Sequence, residues 1–545
     1  DQRSGRKPLT DVADRVLSIR DLRVVAPNGS VLVDGISLDL RRGEVLGLIG
    51  ESGAGKSTIG LAAMGYGRGG CRISGGQITL TGTELRQSGK ATREAMRGVH
   101  IAYVAQSAAA AFDPSMRLDR QIIEAPVHHG GMTATEARAW MLELFRALQL
   151  PNPETFGLRY PHQVSGGQLQ RAMMAMAMSA KPDVLVLDEP TTALDVTTQI
   201  EALALRRATM RRYGTSALYI THDLAVVAQI ADRLMVLRHG KEVETGTTGE
   251  VLQAPTAEYT RRLVAERAGS LRPSHGSHKA SEETLLSLDG VSAGYSGLRI
   301  LNEVSLSLQR GETLAVVGES GSGKSTLARL VAGLLSPASG RVTFAGRALE
   351  GSYRKRGIAD LKAIQMIYQL PDVALNPRQT VGETISRPLS FYRGLKGTAL
   401  QAELHRLLSL IGLPDEFAER LPDALSGGQK QRVCIARALA AEPDLLICDE
   451  VTSALDPLIA EDILNLLRRL QDELGITYLF ITHDLSVVRR LAERTVVMQK
   501  GRIVEDRPTA ELFQTPQAAY TRTLLESVPE LRQDWLDDIM ARRAR

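Results

Sequence analysis

The sequence predicts an α/β chain in which one domain plan is written out twice, and three observations carry that reading. The glycine-rich stretch GESGAGKST, from Gly50 to Thr58, returns as GESGSGKST from Gly318 to Thr326. Behind each copy the same blocks follow in the same order. VSGGQLQR (Val164 to Arg171) is answered by LSGGQKQR (Leu425 to Arg432), LDEPTTALD (Leu187 to Asp195) by CDEVTSALD (Cys448 to Asp456), and ITHDL (Ile220 to Leu224) by ITHDL (Ile481 to Leu485). Finally, short apolar runs stand directly before these blocks, as buried parallel strands require.

The two lysines of the glycine-rich stretches lie 324 − 56 = 268 residues apart, whereas Ser165, Asp188 and His222 meet their counterparts at an offset of 261. A fused duplication explains both numbers, with seven residues lost between glycine-rich stretch and SGGQ block. A length of 545 residues leaves each half enough chain for its own core. The expected division is an unstructured start over 1–15, a first domain over 16–265, a linker over 266–284, a second domain over 285–530 and a tail over 531–545. The linker reading rests on ERAGSLRPSHGSHKASEET, which is rich in Ser, Gly, Pro and charge and has no hydrophobic period. His275 and His278 fall in it without carboxylate or Cys neighbours and read as solvated. The tail, LRQDWLDDIMARRAR, has the character of an amphipathic helix.

A hydrophobic share of 43% and a charged share of 23% belong to a globular chain. A net charge of +4 is too weak for a nucleic-acid footprint, despite a pI near 8.9. Cys71, Cys434 and Cys448 stand far apart, so neither a disulfide framework nor a cysteine metal site is expected, and each reads as a small buried residue. No apolar run reaches spanning length and the polar start lacks a signal-peptide core, so a soluble chain is expected. Its first residue is Asp where an initiator Met would stand, as in a trimmed or processed chain.

Each glycine-rich stretch lies between an apolar run (Val45 to Ile49 in the first copy) and a helix-forming segment. Strand, glycine loop and helix form a phosphate cradle, in which backbone N–H groups and a helix N-terminus face the anion. The nucleotide-binding residues are then Gly50, Glu51, Ser52, Gly53, Ala54, Gly55, Lys56, Ser57 and Thr58, and Gly318, Glu319, Ser320, Gly321, Ser322, Gly323, Lys324, Ser325 and Thr326. Lys56 and Lys324 would reach the β and γ phosphates, and the hydroxyls of Ser57 and Ser325 would ligate Mg²⁺. The runs VLVL and LLIC deliver an Asp-Glu pair to the same sheet edge. Asp188 and Asp449 would hold Mg²⁺ through water, while Glu189 and Glu450 would orient and polarise the attacking water. Strands SALYI and TYLFI end in His222 and His483, placed to bond the γ phosphate and that water. The turns Ser165, Gly166, Gly167, Gln168 and Ser426, Gly427, Gly428, Gln429 each open a helix and form a second anion cradle. Two such domains head to tail would bury two nucleotides, each between one phosphate loop and the other SGGQ turn.

This set of motifs, twice over, resembles the ABC ATPases, along residues 16 to 530. The resemblance implies two P-loop NTPase domains, each with a RecA-like parallel-sheet core, an antiparallel β subdomain and a helical subdomain. It implies that Gln106 and Gln369 sense Mg²⁺ and the γ phosphate, and that Asp195 and Asp456 link the two sites. It further implies that ATP binding closes the pair and hydrolysis reopens it. QLPDVALNP (Gln369 to Pro377), QSAAAAFDP (Gln106 to Pro114) and the Pro-x-x-x-Tyr-Thr endings at Pro255 to Thr260 and Pro516 to Thr521 are similar to the oligopeptide, dipeptide and nickel import branch.

That branch implies two membrane-spanning permease subunits and an extracytoplasmic solute-binding protein as partners, a place on the cytoplasmic face of the inner membrane, and peptide or a related solute as cargo. Opines, glutathione-like molecules, peptidoglycan fragments and oligosaccharides are the alternative cargoes. Ser107 to Pro114 and Leu370 to Pro377 are the expected docking segments for the permeases. The chain departs from the branch in lacking a Cys-rich end and in carrying Val451 where Pro usually follows the glutamate. Tyr295 is the expected adenine-stacking aromatic of the second half, but LRVVAPNG (Leu22 to Gly29) has none, so weaker adenine binding is expected in the first. An exporter engine is the rival function. A ribosome-acting tandem ABC protein is the other, although the short Ser/Gly-rich linker differs from the long charged arm of those proteins.

Overall fold

A computed structural model of the chain describes residues 14–129, 131–190, 196–269, 283–295, 297–453 and 455–543. Asp195, His275, His278, most of the linker and the start of the chain to residue 13 lie outside the described residues. The chain forms two compact units. The first takes in the residues up to 194, those from Thr198 to Arg267 and a final segment from Pro529, and the second takes in 195–197 and the stretch from Ala268 to Val528.

In the first unit a six-stranded sheet runs in the order Lys241–Thr247, Arg233–Arg238, Val45–Gly50, Ser216–Ile220, Val184–Asp188, Ile101–Val104. All neighbours pair in parallel except the first two, which are antiparallel. Every residue of Val45–Gly50, Val184–Asp188 and Ser216–Ile220 is buried. Those runs are continuously apolar because helices and a second sheet cover both faces. The second sheet is antiparallel, in the order Val31–Arg41, Arg15–Val25, Arg72–Leu80, Thr83–Glu84. Leu17, Ile19, Leu38 and Ile78 from it pack with Ile59 and Ala62 of the Lys56–Ala63 helix and with Leu48, Val186 and Leu218 of the parallel sheet. A helical part, Leu118–His128, Ala134–Ala147 and Gly166–Met178, completes the unit.

The second unit repeats this plan strand for strand. Its parallel sheet runs Ile364–Ile367, Leu445–Asp449, Thr477–Ile481, Thr313–Val317, Arg494–Gln499, with Arg502–Pro508 antiparallel at the edge. Its antiparallel sheet is built from Leu298–Gln309, Thr284–Tyr295, Ser339–Phe344 and Arg347–Ala348. Helices Val381–Arg393, Gly397–Leu410 and Gly427–Leu439 share one core through Ile385, Leu407 and Val433. Of the three cysteines, Cys434 and Cys448 are buried, and burial pushes the Cys434 thiol up to about 11; Cys71 is only half-buried. No described helix is long and apolar enough to cross a membrane.

The tail is more than a surface helix. Trp535–Arg543 is helical and buries Trp535, Leu536 and Ile539 within the first unit. The buried Gln229 holds the approach to it: its amide donates to the carbonyls of Glu530 (2.8 Å) and Arg532 (2.9 Å), and its carbonyl accepts from the N–H of Leu536 (3.1 Å). Arg207 pairs with Asp537 beside it. Trp535→Ala is expected to cost the first unit about 3 kcal/mol, as deleting a buried large side chain does. Hydrogen exchange should show that loss in the first unit, with protection of the second unchanged.

Candidate active site

Both phosphate loops leave the centre of a parallel sheet under tight steric control. A Cβ at Gly50 would stand 2.1 Å from the carbonyl oxygen of Leu237, and one at Gly318 would stand 2.2 Å from that of Met498, so only glycine fits. Helices Lys56–Ala63 and Lys324–Val331 follow, each entered through a left-handed glycine, Gly55 (φ 92°) or Gly323 (φ 106°). Lys56 Nζ donates to the carbonyls of Gly50 (2.6 Å) and Glu51 (2.8 Å), and Lys324 Nζ to those of Gly318 and Glu319 (both 2.8 Å). Each buried ammonium is thereby held inside its own glycine-rich loop.

The Asp-Glu pairs stand at the carboxyl ends of the neighbouring strands. Ser57 Oγ donates to Asp188 Oδ1 at 2.9 Å, and Ser325 Oγ to Asp449 Oδ1 at 3.1 Å. Hydroxyl and carboxylate oxygens so close together are the hard donors that suit Mg²⁺. The next residue turns sharply. Glu189 has φ 45° and Glu450 φ 50°, left-handed values that cost a non-glycine residue energy. In both units the backbone N–H of that glutamate is tied at 2.9 Å to the carbonyl of the residue before Thr-His, Ile220 or Ile481. Val451, buried after Glu450, leaves that turn as it is after Glu189, where Pro190 follows.

Around each glutamate the predicted partners converge. Glu189 Oε1 lies 3.0 Å from His222 Nδ1 and its Oε2 accepts from Gln106 Nε2 at 3.1 Å. Glu450 Oε1 lies 3.2 Å from His483 Nδ1 and its Oε2 accepts from Gln369 Nε2 at 2.7 Å. The SGGQ segments stand elsewhere in their own units, as helix caps. Ser165 Oγ accepts from Gln168 N–H (3.3 Å) and Gln168 Oε1 from Ser165 N–H (3.1 Å). Ser426 and Gln429 repeat the reciprocal cap at 3.3 and 2.9 Å. Both serines are exposed at the start of 13-residue helices, so the N-terminal ends of those helices face outward. Asp456 stands at the N-cap position of the helix Pro457–Leu474, and Tyr295 stands half-exposed at the end of its strand, accepting from Arg329 Nη1 at 3.3 Å.

Along residues 33–192 and 301–453 the sequence matches the ABC transporter family, and along 504–544 the oligopeptide/dipeptide transporter C-terminal region. The chain belongs to the ABC transporter family. It is 38% identical over 557 residues to the glutathione import ATP-binding protein GsiA of Salmonella paratyphi A, spanning 94% of this chain and 89% of that one. The GsiA protein of Escherichia coli K12 is 37% identical over 564 residues, with 95% and 90% covered. Among solved structures, cbiO1 of Clostridium perfringens, part of the ABC transporter complex cbiONQ, aligns over 43% of this chain and 92% of its own at 33% identity, with a TM-score of 0.40. A post-hydrolysis ATP-binding cassette dimer with ADP and Pi aligns at 32% identity and a TM-score of 0.37, covering 41% and 99%. The chain is thus an ABC transporter ATPase, with both ABC domains fused.

Three groups near the ABC sites were not foreseen from the sequence. Tyr103 donates its hydroxyl to Asp188 Oδ2 at 2.5 Å, whereas Met366 holds the matching register position in the second domain. Arg329 brings its charge near Asp449, where the first domain has Leu61. Tyr520, from the second Pro-x-x-x-Tyr-Thr ending, accepts the N–H of Glu319 in the phosphate loop at 2.9 Å. Glu505 fixes that ending by accepting from the N–H groups of Gln517 (2.9 Å) and Ala518 (3.0 Å). The motif was visible as a repeat, but its contact with the loop spans the whole domain and leaves no local signal.

The histidines carry an electrostatic signature. The hydrogen bond to Glu450 raises the pKa of His483 against the opposing effect of burial. For His222 burial is the largest influence and lowers it, yet the bond and charge of Glu189 outweigh burial and the net direction is upward. A raised folded-state pKa means the pair's contribution to stability is complete below the ordinary value of 6.5 and fades as pH rises through the folded-state value. NMR titration of the nucleotide-free chain should place His483 above 6.5, and Glu450→Gln should bring it down; an equal value in both chains would contradict the pairing.

Proposed function

We propose that the chain is the engine of an importer that takes up glutathione or a related short peptide, binding two MgATP at head-to-tail composite sites and hydrolysing both. The observation that carries this reading is the recurrence, in each domain, of one glutamate bonded on one side by a histidine and on the other by a glutamine, beside a serine-aspartate pair. Glutathione is itself a modified tripeptide, so the names of the relatives and the peptide-transporter C-terminal region converge on one cargo chemistry.

In each site the loop N–H groups and Lys56 or Lys324 would bind the phosphates, and Ser57 with Asp188, or Ser325 with Asp449, would hold Mg²⁺. When bound, that ion neutralises charge on the β and γ oxygens. Glu189 or Glu450 accepts a hydrogen bond from the attacking water and aligns it with the γ phosphorus. His222 or His483 fixes one carboxylate oxygen and stands ready to bond the γ phosphate, while Gln106 or Gln369 fixes the other. The outward-facing turns at Ser165–Gln168 and Ser426–Gln429 would each close the other domain's site, with Asp195 and Asp456 between the two sites. Tyr295 would stack on adenine.

The partners are membrane-spanning permease subunits, two in number on this reading, served by an extracytoplasmic solute-binding protein, with the chain on the cytoplasmic face of the inner membrane. Exposed apolar side chains support docking at the glutamine-loop segments: in the second domain Leu370 is 48% and Val373 82% exposed, on and beside the one-turn helix Pro371–Ala374. The matching segment of the first domain carries the small helix Ala108–Ala111.

Glu189→Gln and Glu450→Gln are each expected to lower ATP turnover by about a hundredfold or, if the sites act separately, by half; a variant that kept full turnover would remove its site from the mechanism. Nucleotide titration of Lys56→Ala and Lys324→Ala should show weaker binding in the chain that retains only the first site, which lacks the aromatic. Equal affinities would contradict a stacking role for Tyr295.

A further inference from the structure

One buried cation has no part in the chemistry described so far. Arg206, on the helix Val196–Tyr213, is 2% exposed. Its hydrogen bonds go to neutral groups: Nη2 donates to the carbonyl of Pro190 at 2.9 Å and makes a long contact of 3.5 Å with Gln170 Oε1. Nη1 has no hydrogen-bond partner among the described residues. Stripping water from a guanidinium without a carboxylate to receive it is costly.

The second domain demonstrates that the fold does not require this cation. At the offset of 261 its position is taken by Leu467, fully buried in an otherwise equivalent helix, Pro457–Leu474. Gln431, the counterpart of Gln170, is likewise buried there, and neither atom of its amide has a hydrogen-bond partner among the described residues. The first domain therefore maintains a costly group that its twin does without.

The place where Arg206 grips is the place where precision counts. Pro190 directly follows Glu189, whose left-handed backbone (φ 45°) aims the carboxylate at the site. A residue before proline is itself conformationally restricted, and proline offers only a carbonyl to its surroundings, so that carbonyl is the handle by which the turn can be held from inside. Gln170 belongs to the helix that opens with the Ser165 turn. One guanidinium thus spans the glutamate turn and the helix of the SGGQ block.

We propose that Arg206 is a positioning residue of the first site alone: it holds the Glu189 turn and ties its setting to the Gly166–Met178 helix. This rests on the reading of Glu189 as the water-orienting group. The test uses the full chain with its permease partners and four variants: Arg206→Leu, which installs the residue of the second domain, Arg206→Lys, Glu189→Gln and the double variant Arg206→Leu/Glu189→Gln. The part of ATP turnover that Glu189→Gln removes is the part that depends on the first site, the first-site contribution. Arg206→Leu should cut that contribution about fivefold at unchanged KM for ATP, since small misplacements of an aligned group are expensive, and Arg206→Lys should restore part of it. In the Glu189→Gln background Arg206→Leu should change nothing. A full first-site contribution in Arg206→Leu overturns the inference and leaves Glu189 untouched. The same fractional loss in both backgrounds, or a raised KM with a lowered Tm, marks a structural role and also overturns it. If Glu189→Gln removes no turnover, the reading of Glu189 falls and this inference with it.

Discussion

Everything in each domain depends on a parallel sheet whose strands end at one edge. The strand carrying the phosphate loop lies at the centre, next to the strand that ends in Thr-His, and the strand that ends in Asp-Glu lies one further out. Parallel pairing with matched register forces the three carboxyl ends together, although the groups they bring are separated by long stretches of chain. Serine meets aspartate and glutamate meets histidine because Val184–Asp188 and Ser216–Ile220 are paired from end to end. The burial of those strands on both faces is therefore part of the chemistry, because it holds the edge that carries the reacting groups.

Much of this was legible in the sequence because the decisive groups are local. A phosphate loop needs its glycines within a few residues, and a strand announces itself by an apolar run. What the sequence withheld is of another kind. Tyr103 reaches Asp188 from the neighbouring strand, and Tyr520 reaches Glu319 from the far end of the domain; each is an ordinary residue of its own element, with no pattern to distinguish it. The left-handed turn at Glu189 and Glu450 was also hidden, since glutamate gives no hint of a positive φ. The SGGQ blocks read as anion cradles, and within their own domains the same serines and glutamines cap helices; a cap and an anion site draw on the same N–H groups.

The two copies keep one geometry and surround it differently. Asp188 has a tyrosine hydroxyl at its second oxygen, while Asp449 has the charge of Arg329 in its neighbourhood. Burial raises the pKa of Asp449, and the bond from Ser325 and the charges of Arg329 and Lys324 work against that rise. A shared plan with unequal surroundings gives two sites that can differ in nucleotide affinity and rate while keeping the same reacting groups.

The final segment has a consequence for how the protein is made. Trp535, Leu536 and Ile539 are buried within the first unit, yet they are synthesised only after the whole stretch from Ala268 to Val528 that forms the second. Domains generally fold as units, earliest first, while the ribosome is still working. Here the earlier domain must wait with the seat around Gln229 unfilled until the later one has been translated. A chain interrupted within the later domain leaves the seat of Trp535, Leu536 and Ile539 on the earlier one unfilled.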